Sequence, residues 1–150
     1  MFFKDQNIKN IFILLLFSFS YSISLTPNEE TEADSQFRSN IMNLGKSNRT
    51  ILNDDNIRFE DNKVVIEAHC RRNNIQSTLV KTYWMCGYTL NGINQNYSEV
   101  FVILHVSGRN NVLVSSANGL DVKNFGNQES LDYEQNKKFL NKLNIYSQKN

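Results

Sequence analysis

Apolar and polar residues alternate through the middle of the chain, and this period of two predicts β-strands. A first hairpin is predicted over residues 57–70, with Asp61-Asn62 as its turn. After a polar loop, the alternation predicts a long β-rich stretch from Ser77 to Leu90. The strongest strand runs from Glu99 to Val106, and apolar residues on both of its faces indicate a central strand that is covered on both sides. A last strand is predicted at Val112–Val114.

Helical spacing flanks this β-rich region. Apolar residues at i, i+4 and i+7 predict a short helix over residues 35–44, between Asp34 as its N-cap and Gly45 as its terminating glycine. The residues from Ser130, the predicted N-cap, to about Tyr146 predict a C-terminal helix. The sequence therefore predicts a single α+β domain over residues 35–146, in which an antiparallel sheet of about five strands packs against a short N-terminal and a C-terminal helix.

The first 24 residues have the three parts of a secretory signal peptide. Lys4 and Lys9 precede an apolar run, Ile11–Phe19, and alternating serines that end at Ser24 provide a small-x-small cleavage pattern. This pattern predicts a signal peptide over residues 1–24 and a protein that is secreted or resides in the secretory-pathway lumen. The alternative is an uncleaved membrane anchor, although a spanning helix needs about 20 apolar residues and this run is shorter.

Two polar segments border the predicted domain. Residues 25–34 are acidic and contain the only proline, which predicts a disordered lead-in, and residues 147–150 are predicted to be a flexible tail. The predicted signal peptide removes two of 16 basic and one of 15 acidic side chains, so the remaining 126 residues carry 14 of each. A neutral domain lacks the long-range field that phosphate backbones exploit, and this argues against nucleic acid as a partner.

The two cysteines of the chain both lie in the predicted secreted part. Export favours a Cys70–Cys86 disulfide. A tight hairpin after Cys70 would nevertheless separate the two cysteines by roughly 30 Å along the next strand, whereas a disulfide allows about 4.4–6.8 Å between Cα atoms. Either residues 71–80 make a long excursion or the thiols are unbridged. Export also makes the two Asn-x-Ser/Thr sequons, at Asn48 and Asn96, candidate glycosylation sites.

Candidate acid–base residues occur on the predicted strands. Glu67 and His69 share one strand face at i, i+2, and His105 is the only other histidine, so a small hydrolase-like enzyme is one possible function. A solvated strand face with two structural histidines explains the same pattern, and no catalytic residue is assigned. The histidines and cysteines lack the close spacing of a zinc site, and the glycines form no phosphate-binding loop, so the sequence predicts no metal and no cofactor.

Four aromatic residues are candidates for a contact surface, because tyrosine and tryptophan dominate binding hot spots: Tyr83, Trp84, Tyr88 and Tyr97. An aromatic core and rim is the alternative. The sequence thus favours a small secreted, non-enzymatic binding domain for an extracellular protein, a glycan or a small apolar ligand. The hydrolase-like enzyme with Glu67, His69 and His105, and a membrane-anchored extracytoplasmic domain, remain the alternatives.

Overall fold

Four α-helices and one five-stranded sheet make up the described part of the chain. The computed structural model describes residues 30–48, 50, 54–129 and 132–149. The predicted signal peptide therefore lies outside the described residues. In chain order the elements are α1 (Glu32–Ser47), β1 (Ile57–Glu60), β2 (Lys63–Cys70), α2 (Ile75–Asn91), β3 (Glu99–Val106), β4 (Asn111–Asn118), α3 (Gly119–Phe125), α4 (Tyr133–Leu140) and β5 (Asn144–Lys149), with short 3-10 turns at Asp54–Asn56 and Arg72–Asn74.

The sheet is mixed, and its strands lie side by side in chain order. Strands β1 and β2, β3 and β4, and β4 and β5 pair antiparallel, whereas β2 and β3 pair parallel along their full length. The predicted α+β class is confirmed, but the prediction of a purely antiparallel sheet is wrong. Parallel neighbours cannot be joined by a tight turn, because the chain must cross back to the starting end, and α2 makes that crossing here.

The β-rich stretch that was predicted from Ser77 to Leu90 is wrong, because these residues belong to α2. The apolar residues of this segment fit both the period of two of a strand and the period of 3.6 of a helix. Leu79, Tyr83, Cys86 and Leu90 recur at helical spacing and are all buried, while the residues between them give a false alternation. Length decides between the two periods, since 14 continuous residues exceed an ordinary strand and fit a helix.

The predicted N-terminal helix is confirmed, but α1 is longer at both ends than the predicted 35–44. Thr31, not Asp34, is the N-cap, and Asp34 closes a capping box at the third helical position. Residues 32–34 are therefore helical rather than part of a disordered lead-in. Gly45 lies inside the helix and is buried.

The C-terminal region differs from the predicted single helix. Residues 133–140 form α4, whose N-cap is Asp132, and the predicted N-cap Ser130 lies outside the described residues. Residues 144–149 turn back and pair with β4, so most of the predicted tail at 147–150 belongs to β5. None of the helices in the described part of the chain is long and apolar enough to cross a membrane.

The core lies on one face of the sheet. Val64, Ile66, Val100 and Val102 point into a buried cluster to which all four helices contribute. Residues on the other face, such as Phe101, do not join this cluster. None of the four helices contributes to this second face in the described residues, and it is called here the open face; the prediction that β3 is covered on both sides stays a prediction. Its apolar side chains are Val65, Phe101, Ile103, Val112, Val114 and Tyr146.

Helices α2 and α3 approach so closely that two glycines face each other. A Cβ atom added at Gly87 would lie 2.1 Å from the carbonyl oxygen of Val122, and one added at Gly126 would lie 2.0 Å from the carbonyl carbon of Gly87. These neighbours are backbone atoms, which cannot rotate away as a side chain can. The absence of a side chain at both positions therefore permits this helix contact.

Candidate functional site

A cleft lies where the parallel strands β2 and β3 end and α2 begins. Its volume is about 370 Å³. In sheets with parallel strands, ligands commonly bind at this carboxyl end, because the connecting loops leave a crevice there. Polar and cationic side chains line the cleft, among them His69, Arg71, Ser77, Thr78, Lys81 and Ser107. This set of residues is called here the cationic cleft.

The charge of the cationic cleft is not neutralised by the described residues around it. No Asp or Glu lines the cleft, and the ion pairs between described residues involve neither Arg71 nor Lys81. Asn74, the N-cap of α2, makes no side-chain capping bond, and its own N–H donates to the carbonyl of Arg71. The cleft therefore offers positive charge and hydrogen-bond donors.

The opposite end of the sheet carries an excess of negative charge. A second cavity of about 480 Å³ is lined there by Glu30, Asp34, Glu60 and Asp61, together with two basic residues. Asp34 accepts hydrogen bonds from the Thr31 hydroxyl and from Tyr97, which hold it in the wall. A nearly neutral chain is thus divided into a basic and an acidic end.

The three candidate acid–base residues do lie together, on the open face beside the cationic cleft. Glu67 Oε2 lies 2.8 Å from His105 Nε2, and the ring of His69 stacks on that of His105 with 4.7 Å between centroids. Arg58 also binds Glu67. Burial alone would raise the pKa of Glu67, but the hydrogen bonds and charges of His105 and Arg58 lower it below the ordinary value. Only His69 among the three also lines the cleft.

The predicted disulfide is absent, since Cys70 and Cys86 are free and buried. Cys70 ends β2, and Cys86 lies eleven residues beyond Ile75, the start of α2. At about 1.5 Å per residue this places it roughly 16 Å along the helix axis, well beyond the reach of a disulfide. Burial raises the pKa of both thiols, and at Cys70 it outweighs the hydrogen bond with Thr78. Neither thiol is therefore poised as a nucleophile.

The four candidate contact aromatics do not form one surface. Tyr83 and Tyr97 are buried, with the Tyr83 hydroxyl 3.1 Å from Ser115 Oγ. Tyr88 is 55 % exposed, and its ring lies 5.5 Å from that of Trp84, whose Nε1 donates to a backbone carbonyl 3.2 Å away. Trp84 and Tyr88 therefore present an aromatic pair on the outer side of α2.

The two sequons lie at different kinds of position. Asn48 caps the C-terminus of α1 and donates from Nδ2 to the carbonyl of Leu44 at 2.9 Å. Asn96 is exposed in the loop before β3, and its Oδ1 accepts from Lys123.

Sequence reasoning missed Arg71, Ser77 and Lys81 as site residues, because it placed Arg71 in a polar loop between two strands and assigned Ser77 and Lys81 to the second strand. The helical period of the buried residues was the signal that could have placed them at the start of a helix after β2. Among the described residues, no group of three potential ligands could hold a metal ion. Comparisons of the chain with models of protein families, with curated proteins and with solved structures find no match.

Proposed function

We propose that the chain is a secreted, non-enzymatic binding domain whose cationic cleft binds an acidic glycan through its sulfate or carboxylate groups. The observation that carries this proposal is a cavity lined by Arg71 and Lys81, for which the described residues provide no carboxylate partner. Cations that are not paired within the fold are free to pair with a ligand, and charge-assisted hydrogen bonds to oxyanions are about twice as strong as neutral ones.

The chemistry of the lining favours an anionic ligand over an apolar one. The planar guanidinium of Arg71 matches the geometry of an oxyanion, the ammonium of Lys81 adds a positive charge, and the hydroxyl of Ser107 adds a further donor. A volume of about 370 Å³ is at the lower end of the range of small-molecule sites, which suits one sugar unit with its charged substituent.

The surroundings of the cleft favour a ligand with several charged groups. Arg72 directly follows Arg71, and Arg109 lies in the turn after β3, at the same end of the sheet. Neither arginine takes part in an ion pair between described residues. An acidic glycan is the extracellular ligand that presents such a series of charges, and it is one of the three partner classes that the sequence favours.

Calorimetric titration of the exported protein with a heparin tetrasaccharide tests this proposal. Arg71→Ala and Lys81→Ala should each weaken binding about tenfold, which corresponds to the loss of about 1.4 kcal/mol from one charge-assisted contact. Lys137→Ala removes the same charge from the exposed side of α4 and serves as the matched control, with unchanged affinity expected. Added salt should weaken binding to the unaltered protein, because it screens the charges.

The other outcomes distinguish the source of the anionic group. Inorganic sulfate or phosphate that binds as tightly as the tetrasaccharide would assign the cleft to a small anion rather than a glycan. The proposal is rejected if none of these probes binds, or if Lys137→Ala weakens binding as much as Lys81→Ala.

The contact between Glu67 and His105 favours a second candidate function, general acid–base catalysis. A carboxylate that binds one imidazole nitrogen fixes the tautomer and orientation of the ring, as in hydrolases. The ring that Glu67 orients is that of His105, and His69, which stacks on this ring and lines the cleft, would exchange the proton with a substrate. Hydrolysis of a 4-nitrophenyl ester that His69→Gln and His105→Gln abolish, without weakening tetrasaccharide binding, would support the enzyme. Equal rates in all three proteins reject it.

Export is part of the proposal and has its own test. N-terminal sequencing of the exported product should begin at Leu25 or Ile23. An intact Met1 on a membrane-bound product would instead support the anchored alternative.

A further inference from the structure

Strand β5 forms an open edge of the sheet. Among the described residues it pairs only with β4, and all six of its residues are exposed. An edge strand presents a row of backbone N–H and C=O groups that another strand can bind, and proteins usually protect such edges. The two edges of this sheet differ in whether the described residues provide that protection.

The opposite edge, β1, is protected. Arg38 reaches across from α1 and donates from Nη1 to the backbone carbonyls of Ile57, at 2.8 Å, and Asp54, at 2.6 Å. Its guanidinium is held there by Glu30, whose Oε1 lies 3.0 Å from Nε. In addition, β1 is only four residues long and contains Arg58 and Glu60. Charged residues and a short length both oppose pairing with another chain.

The β5 edge lacks these devices. Lys149 is its only charged residue and lies at its end, and the strand contains neither proline nor glycine. Ile145 and Tyr146 are 48 % and 40 % exposed. They point to opposite faces of the sheet, because successive residues of a strand alternate. An unprotected strand with an exposed apolar residue on each face is suited to pairing with another strand.

We infer that β5 pairs antiparallel with β5 of a second copy of this chain, so that the two sheets join into one sheet of ten strands. A two-fold axis perpendicular to the sheet brings together residues that point to the same face. With the axis at Tyr146, each Tyr146 faces its counterpart on the open face, and Ile145 faces Ser147 of the second copy. Asn144 then faces Gln148, and no charged residue faces another, so the strand is complementary to itself.

A second copy fits this edge better than an unrelated extended peptide. Recognition of a peptide by strand addition takes its specificity from pockets for alternate side chains. Five cavities of the described residues, the cationic cleft among them, have no residue of β5 in their linings. A second β5 needs no pockets, since the Tyr146 rings of the two copies cover each other.

Pairing of two six-residue strands buries less surface than the roughly 1,200 Å² at which stable interfaces begin. The dimer is therefore weak, and it forms in proportion to protein concentration. Sedimentation velocity of the exported protein from about 1 μM to about 1 mM should show a shift from monomer to dimer, because this range spans the affinities of small interfaces. A monomer throughout this range overturns the inference.

A charge exchange at Tyr146 tests the register. Tyr146→Lys and Tyr146→Glu should each be monomeric, because like charges face each other across the axis, and an equimolar mixture of the two should form a heterodimer. Tyr133→Lys places the same charge at a tyrosine on α4 that is 74 % exposed, and this variant should dimerise as the unaltered protein does. A dimer that persists in Tyr146→Lys, or folded variants that fail to associate when mixed, would overturn the pairing.

Hydrogen exchange provides the same test without a substitution. The amides of β5 that point away from β4 should become protected as the concentration of the unaltered protein rises, while those of β1 should not change. Protection that is independent of concentration contradicts the inference even if the Tyr146 variants do not fold.

Discussion

The contact between α2 and α3 predicts that Gly87→Ala strongly destabilises the domain. A Cβ atom at residue 87 would lie 2.1 Å from the carbonyl oxygen of Val122 and 2.6 Å from the backbone nitrogen of Gly126. Ordinary contacts of a Cβ begin at 3.4 Å, so α3 would have to retreat by roughly 1 Å. Val122 and Phe125, which α3 buries in the core, would then lose part of their close packing.

The size of the effect follows from two opposing contributions. Overpacking of a close contact costs about 1–3 kcal/mol, and the upper part of this range applies because both partners are backbone. Alanine is more favourable than glycine within a helix by about 1 kcal/mol. We therefore expect Gly87→Ala to lower the free energy of unfolding by about 2 kcal/mol, a large fraction of the stability of a small domain.

Urea denaturation, followed by circular dichroism and by the fluorescence of Trp84, measures this loss. Gly92→Ala, at the C-cap of the same helix, provides the control, because its added Cβ would have only one neighbour, at 3.5 Å. The stability of this variant should change by less than about 0.5 kcal/mol. A Gly87→Ala variant that is as stable as the unaltered protein would refute the close approach of α2 and α3.

Three further predictions concern other contacts. In the native protein, Cys70 and Cys86 should resist alkylation by iodoacetamide, because both are buried free thiols. After unfolding, mass spectrometry should find both thiols alkylated. Unfolded protein that stays unlabelled would instead indicate a disulfide. The pKa of Glu67 is lower in the folded protein than in the unfolded chain, so the ionised carboxylate stabilises the fold. This stabilisation is complete above the unfolded pKa of about 4.3, and it disappears as the pH falls through the lower pKa of the folded state. The stability difference between the unaltered protein and Glu67→Gln should shrink below that pH, and a constant difference would contradict the Glu67–His105 contact. Tyr97→Phe leaves buried Asp34 without one donor and should cost about 1–3 kcal/mol in urea denaturation, whereas no loss would exclude the bond.

The sequence correctly predicted the elements whose pattern of apolar and polar residues fits only one kind of secondary structure. The hairpin of β1 and β2 was predicted with its turn, where both Asp61 and Asn62 adopt the positive φ that a two-residue hairpin turn requires. The alternation in β3 was equally clear, but coverage of its second face was not, since an apolar face does not reveal whether a neighbour covers it. Strand β5 has no such pattern, because it is short, polar and exposed on both sides.

The candidate site was only partly accessible to sequence reasoning. Glu67 and His69 were expected on one face from their spacing alone. The contact between Glu67 and His105 depends on the parallel pairing of β2 and β3, which places His105 opposite His69. The residues near Glu67 in the sequence do not reveal that pairing. The disulfide prediction was wrong for a related reason. That prediction relied on the redox conditions of a predicted exported protein, whereas the distance between the cysteines depends on the element that carries Cys86.

The single parallel strand pair also has a consequence for how the domain folds. The hairpins β1–β2 and β3–β4 pair residues that are near in sequence, and such units form within about 1–10 μs. The β2–β3 pairing joins residues that are 36 apart, since Lys63 lies opposite Glu99, and closing so long a connection is slow. In stopped-flow experiments, we expect substitutions in α2 to slow refolding and substitutions at the Asp61-Asn62 turn to change mainly the unfolding rate. If turn substitutions slow refolding and α2 substitutions do not, the hairpin is formed in the transition state instead. The pairing that creates the cationic cleft is thus also the step that we expect to limit how fast the domain forms.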